Sequence, residues 1–232
     1  MTDKELVMIL RRTFEQLNKK NRSFAVSYKA LLRLIGIQGM ALPLVVVLGG
    51  LLEGTPMQNS ISAYYHTNMR DLFVGLLCVV SALLITYKGQ VRSDTIMTVS
   101  SGIAGLGAAL LPCSGHFTRE KIGMLLLPAY ISDGLHTLCA AVFLTSLALI
   151  SMFVFTRPDG PVEKGKILRN LIYRLCGVLM LFSLIGIAFY KIHPPAKEIA
   201  HLKPVLVLEA FALLVFGISW LIKSDAVKPD KN

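Results

Sequence analysis

The sequence predicts an all-α membrane protein: six transmembrane helices in a bundle, an amphipathic helix ahead of the first, and both termini in the cytoplasm. Three observations predict it. Apolar residues make up 54% of the 232-residue chain and charged ones only 16%, against about 25% charge in an average soluble domain. The mean hydropathy is +0.61. Several apolar runs approach the roughly 20 residues that a helix needs to cross a bilayer.

Residues 1–30 form a basic N-terminal segment. Within it Leu6, Leu10, Phe14 and Leu17 recur at three- and four-residue spacing, opposite Arg11, Arg12, Lys19 and Lys20. This pattern fits a helix lying on an anionic membrane surface. The first 30 residues lack the short apolar core of a cleavable signal peptide, so the first span is expected to act as an uncleaved anchor. The transmembrane domain covers 31–223, with spans at about 31–52, 70–87, 95–113, 133–155, 169–190 and 204–222, and 224–232 is a short tail. The turn signal Glu53-Gly54-Thr55-Pro56 closes the first span. The third carries Ser101, Gly105 and Ala109 at four-residue spacing beside Gly102 and Gly107. Small residues in that pattern admit close helix approach, which places this helix at the bundle centre. The loop at 115–132 holds a short apolar run, Met124 to Tyr130, expected to dip into the interface. Arg174 lies one turn inside the fifth span, and Trp220 with Lys223 anchors the end of the sixth.

The net charge of +10 would suggest nucleic acid in a soluble protein. Here most of the 24 lysines and arginines fall on one side of the predicted spans, which makes that side cytoplasmic and leaves nucleic acid without a role. Cys78, Cys113, Cys139 and Cys176 sit in or beside apolar runs with no CxxC pair, so they read as small buried hydrophobes.

In this topology all five histidines, His66, His116, His136, His193 and His201, fall at the outer side, together with Asp71, Asp133 and Glu209. Ionisable groups inside a membrane are costly and usually serve a function. The run Ser60–Asp71 concentrates hydroxyls, Tyr64, Tyr65, His66, Arg70 and Asp71 at the mouth of the second span. With that turn helical, Ser62, His66 and Arg70 share a stripe, and Asp133 and His136 share a face of the fourth span. The expectation is an outward-opening pocket lined by His66, Asp71, Asp133, His136 and Glu209. Such nitrogen and carboxylate donors suit Zn²⁺ with a position left for water. A bland alternative stands beside it, in which Asp71 and Asp133 merely satisfy the first turns of their helices.

Ser62-Ala-Tyr-Tyr-His66 resembles the Ser-x-x-x-His element of the CREST superfamily of membrane hydrolases, which includes alkaline ceramidases and the progestin and adipoQ receptors. The resemblance implies His66 as a zinc ligand and Ser62 as a helper polarising substrate or water. The run Tyr64 to Gly75, with Asp133-Gly-Leu-His136 and Glu209 through Trp220, also resembles a bacterial six-helix membrane family that brings no known activity. That likeness implies a bacterial cytoplasmic membrane. Three functions follow as expectations. The first is a zinc-dependent lipid amide or ester hydrolase, with His66, Asp133 and His136 as ligands, Ser62, Asp71 and Glu209 in catalysis, and Arg70 and Tyr65 on the substrate. The others are a small transporter or ligand-binding protein and a structural subunit. Membrane lipids and a lipid-like substrate are the expected partners.

Overall fold

Six long helices and one single-turn helix dominate the computed structural model, which describes residues 3–113, 121–122, 126–158, 164–193 and 197–226. Side chains are described from Ser27 onward except at 121–122, 164 and 197–198. Helix α1 (Asp3–Leu52) runs unbroken from the basic segment into the first apolar run. The two elements expected there are therefore one helix, and the side chains of its N-terminal stripe lie outside the described residues. A 3₁₀ turn (Ser62–His66) precedes α2 (Arg70–Thr86) and α3 (Arg92–Leu110). Strands β1 (Lys121–Ile122) and β2 (Leu127–Pro128) then pair antiparallel, with Ile122 opposite Leu127. Residues 114–120 and 123–125, His116 included, lie outside the described residues. The rest of the segment expected to dip into the interface is this strand pair and the first residues of α4.

Helix α4 (Ala129–Leu149) continues through a π turn at Ile150–Val154. Helices α5 (Lys164–Ile192), α6 (Lys197–Ala200) and α7 (Pro204–Ala226) complete the chain. Among the described residues four stretches are long and apolar enough to cross a membrane: Ser27–Leu52, Ala129–Val154, Gly165–Ile192 and Pro204–Ala226. The protein is an integral membrane protein on that basis. Helix α5 shows what its outer face meets. Leu171, Leu175, Val178, Phe182, Ile185 and Phe189 are all exposed and recur at helical spacing, while Tyr173, Cys176, Met180 and Ser183 are buried on the opposite side. An apolar stripe of this length turned outward suits lipid rather than water.

The long helices form a closed ring. Each packs on its neighbour in the order α1, α2, α3, α4, α5, α7, and α7 returns to α1. Helix α3 is thus a stave of the ring and not its centre, as its small residues had suggested. Those residues still explain its close approach. A Cβ added at Gly102 would lie 2.5 Å from the Ser81 carbonyl of α2. Large side chains from the other staves, among them Phe73, Phe143, Leu147, Phe216 and Trp220, are buried inside instead.

The ring has two ends. At one, the ends of α3 and α5 meet the starts of α2, α4 and α7. At the other, Trp220 meets Tyr87, Phe155 and Phe216 with ring centroids 5.3, 5.0 and 5.8 Å away. There Asp94 at the start of α3, only 1% exposed, accepts from Arg157 Nη2 at 2.7 Å and Nε at 2.9 Å. This pair fastens α3 to the chain just beyond the π turn. An unpaired charge at the buried Asp94 would be costly, so the carboxylate requires Arg157, which itself keeps contact with solvent.

Candidate functional site

The run Asn59–His66 is laid across the first end of the ring and tied down there by its own backbone. The Leu206 N–H donates to the Asn59 carbonyl at 3.1 Å, and Lys203 Nζ donates to Asn59 Oδ1 at 2.6 Å. Lys203 holds a left-handed backbone (φ +51°) to make this junction with α7, a conformation that costs energy in a residue with a Cβ. Ser60 Oγ accepts the Ala63 N–H at 3.0 Å and starts the 3₁₀ turn. Ile61 and Tyr64, 2% and 0% exposed, drop into the core beneath it. Thr67 ends it, donating its hydroxyl to the Tyr64 carbonyl and accepting the Met69 N–H.

Glu209 is the centre of this end. Its Oε2 accepts the Ile61 N–H at 2.6 Å, and the Ser62 backbone lies close enough to add a second hydrogen bond. Backbone donors aimed at a carboxylate are a strong anchor. Glu209 lines two spaces at once. One is a void of about 40 Å³ within the ring, walled by Leu42, Phe73, Ala108, Phe143 and Leu213 among others. The second is a cavity of about 550 Å³ beside it. Asp133, His136 and Thr137 of α4 line that cavity, with Ser62 and Cys113 at its rim. Its remaining wall is mostly apolar, from Ala140, Ala141 and Leu144 of α4 and Leu184, Ile187 and Ala188 of α5. Lys191 at the end of α5 reaches Thr137 Oγ1 at 3.4 Å.

The histidines fasten the end of α3. A carbonyl only accepts, so His66 Nε2 carries the hydrogen it shares with the Cys113 carbonyl at 2.9 Å. By the same logic His136 Nδ1–H donates to the Leu111 carbonyl at 2.7 Å. Ser132 Oγ takes the Pro112 carbonyl between them at 2.8 Å. Three consecutive carbonyls that outlast the helix are thereby satisfied from outside it. Burial lowers the pKa of His66, the Cys113 carbonyl opposes that shift, and the positive Arg70 adds to it. The Cys113 thiol donates to the Ser62 carbonyl at 3.4 Å.

The residues singled out from sequence divide into two groups. Asp133, His136, Glu209 and Ser62 share one cavity. His66 stands next to it, linked through Cys113. Arg70 and Tyr65 form a separate pair, with Arg70 Nη2 donating to the Tyr65 hydroxyl at 2.8 Å and its guanidinium 4.5 Å from the ring centroid. Asp71 is exposed in the first turn of α2. None of these three lines the cavity. The helical stripe Ser62–His66–Arg70 is broken because the 3₁₀ turn and α2 are separate elements. Asp133 lies in the second turn of α4, which starts at Ala129, so a capping role at the first turn does not account for it.

Among the described residues no three His, Cys, Asp or Glu side chains stand together as a metal-binding group. The zinc set His66, Asp133 and His136 is therefore not assembled in this arrangement. Sequence reasoning missed Lys191, Thr137, Asn59 and Cys113. Lys191 was visible as a cation at a helix end, but nothing in the spacing of the sequence aligned it with Glu209.

Comparison of the chain with models of known families, with characterised proteins and with solved structures finds no match.

Proposed function

We propose that the chain is a six-span ligand-binding membrane protein with cytoplasmic termini, whose site is the Glu209 cavity at the extracytoplasmic end. The ligand is an amphipathic, lipid-like molecule with a hydrogen-bond-donating or cationic head. One observation carries this reading: Glu209, Asp133 and His136 line a single cavity together with Thr137 and Lys191, and most of its remaining wall is apolar. Binding cavities for small ligands are of this size and mix, mostly apolar with a few polar groups that fix orientation. Two carboxylates and the His136 Nε2 lone pair are acceptors, and they suit an amine, hydroxyl or amide head while the chain lies along α4 and α5.

The test is photolabelling of the reconstituted protein with a diazirine-bearing long-chain amino alcohol. Label is expected on residues 133–144 and 184–192, and Glu209→Gln is expected to reduce it about tenfold. Label spread over the lipid-facing stripe of α5, unchanged by Glu209→Gln, would refute the proposal.

Transport is a second reading with one observation in its favour. Glu209 lies between the open cavity and the void inside the ring, the position a proton-coupled carboxylate would occupy. Uptake of the same amino alcohol into vesicles under a proton gradient, lost in Glu209→Gln, would support it.

A further inference from the structure

The cavity that holds Glu209 also holds a cation. Lys191, one residue from the end of α5, lines it together with Glu209, His136 and Thr137. Its Nζ reaches across to α4 and donates to Thr137 Oγ1 at 3.4 Å, a long contact that uses one of the three donors of an ammonium group. Glu209 spends part of its own capacity on the backbone. Its Oε2 accepts the Ile61 N–H at 2.6 Å, with Ser62 close enough to add a second bond. A carboxylate offers about four acceptor positions, so others remain. The charge of Lys191 acts on Glu209 and on His136, yet among the described residues Lys191 and Glu209 form no ion pair with each other. Two opposite charges therefore line one space of about 550 Å³ without closing on one another.

We propose that the ligand of this cavity carries a zwitterionic head, with an ammonium group held at Glu209 and a phosphate held at Lys191. This rests on the reading of the cavity as a site for a lipid-like molecule and adds the second charge of the head to it. A purely cationic head would meet Glu209 but also the repulsion of Lys191, and a purely anionic head would meet the reverse. A head bearing both signs satisfies both groups, and each single-charge competitor is penalised by one of them. The ammonium must keep its N–H donors, because the carboxylate gains most from charge-assisted hydrogen bonds and a trimethylated head forms none. The apolar wall from α4 and α5 takes the acyl chain. This is the chemistry of an ethanolamine phospholipid rather than of a choline or glycerol one.

Competition against the photoreactive amino alcohol in the reconstituted full chain tests this with single-chain probes of equal acyl length: lysophosphatidylethanolamine, lysophosphatidylcholine and lysophosphatidic acid. Lysophosphatidylethanolamine is expected to displace the label at about tenfold lower mole fraction than either of the others. Lys191→Gln should abolish that advantage and strengthen amino-alcohol labelling, since the like charge is gone. Continued labelling of residues 133–144 in this variant would show that it is folded, and Lys191→Arg should retain the advantage. Equal displacement by the three probes, or an advantage that survives Lys191→Gln, would overturn the proposal while leaving the cavity a lipid site. Equal displacement by phosphoethanolamine without a chain would overturn the assignment of the zwitterion to a lipid. Label confined to the outer stripe of α5 and indifferent to Glu209→Gln would overturn the underlying reading, and this one with it.

Discussion

At the level of single residues, this end of the molecule is governed by which atoms hold protons. His66 donates from Nε2 to the Cys113 carbonyl, and it does so as a neutral ring, because burial and Arg70 lower its pKa below the ordinary 6.5. The sign of the resulting pH dependence follows from linkage. Below about pH 6.5 the unfolded chain binds a proton at this position more readily than the folded one. The stability contributed by neutral His66 is therefore complete above 6.5 and drains as the pH falls through and below that value. The melting midpoint of the purified protein should drop between about pH 7.5 and about 5.5. In His66→Gln, whose amide can still donate to the Cys113 carbonyl, the drop should be smaller. An equal drop in both proteins would show that His66 is not the titrating group.

Helix-to-helix contacts follow from side-chain size. Inside a bilayer, lipid is as apolar as leucine, so close van der Waals fit and interhelical hydrogen bonds hold helices together. The α1–α7 seam shows the limit of that fit. A Cβ at Gly217 would lie 2.6 Å from the Gly36 carbonyl and 2.2 Å from Met40 Cγ. Met40 can swing away, but the Gly36 carbonyl is backbone and moves only with α1. Gly217→Val should therefore lower stability by about 1–3 kcal/mol, read as a fall in the detergent melting midpoint. Gly75 in α2 has nothing within 4 Å of an added Cβ, so Gly75→Ala should be neutral or stabilising by up to about 1 kcal/mol. If both variants behave alike, the seam is looser than described. This contrast also explains how far the elements were legible. Hydropathy located all six long helices because apolar runs are local in sequence. The small residues of α3 were read correctly as a site of close approach and wrongly as the centre, because small size specifies distance to a neighbour and not the number of neighbours. The cost of burying charge singles out Asp133, His136 and Glu209 in the sequence, and the three line one cavity. Arg70 and Asp71 were grouped with them by assuming one continuous helix, which the 3₁₀ turn interrupts. The Asp94–Arg157 pair joins positions far apart in the chain, and no local pattern announces it.

The whole molecule raises the question of how many of its helices cross the bilayer. Four do so by length and apolarity, while α2 has 17 residues and α3 has 19. At 1.5 Å per residue α2 is about 26 Å long, slightly less than the roughly 30 Å hydrocarbon core. Its neighbours argue that it crosses nonetheless. At its start, Met69 Sδ would be 2.8 Å from a Cβ at Gly49 of α1. At its end, Tyr87 stacks on Tyr28 of α1 with centroids 5.8 Å apart. Helix α2 thus runs alongside α1 from Gly49 back to Tyr28, nearly the full height of the span Ser27–Leu52. A hairpin of α2 and α3 that stopped inside the membrane would bury Lys88, Arg92 and their solvent in hydrocarbon, at several kcal/mol for each charge. Single cysteines in an otherwise cysteine-free background distinguish the two arrangements. Met57→Cys, in the exposed loop after α1, should react with a membrane-impermeant maleimide in right-side-out vesicles. Arg92→Cys should react only in inside-out vesicles. Both topologies expose Met57 on the same side, so the position after α2 is decisive: labelling of Arg92→Cys from neither side would reduce the spans to four. It would also leave Lys88 without access to water.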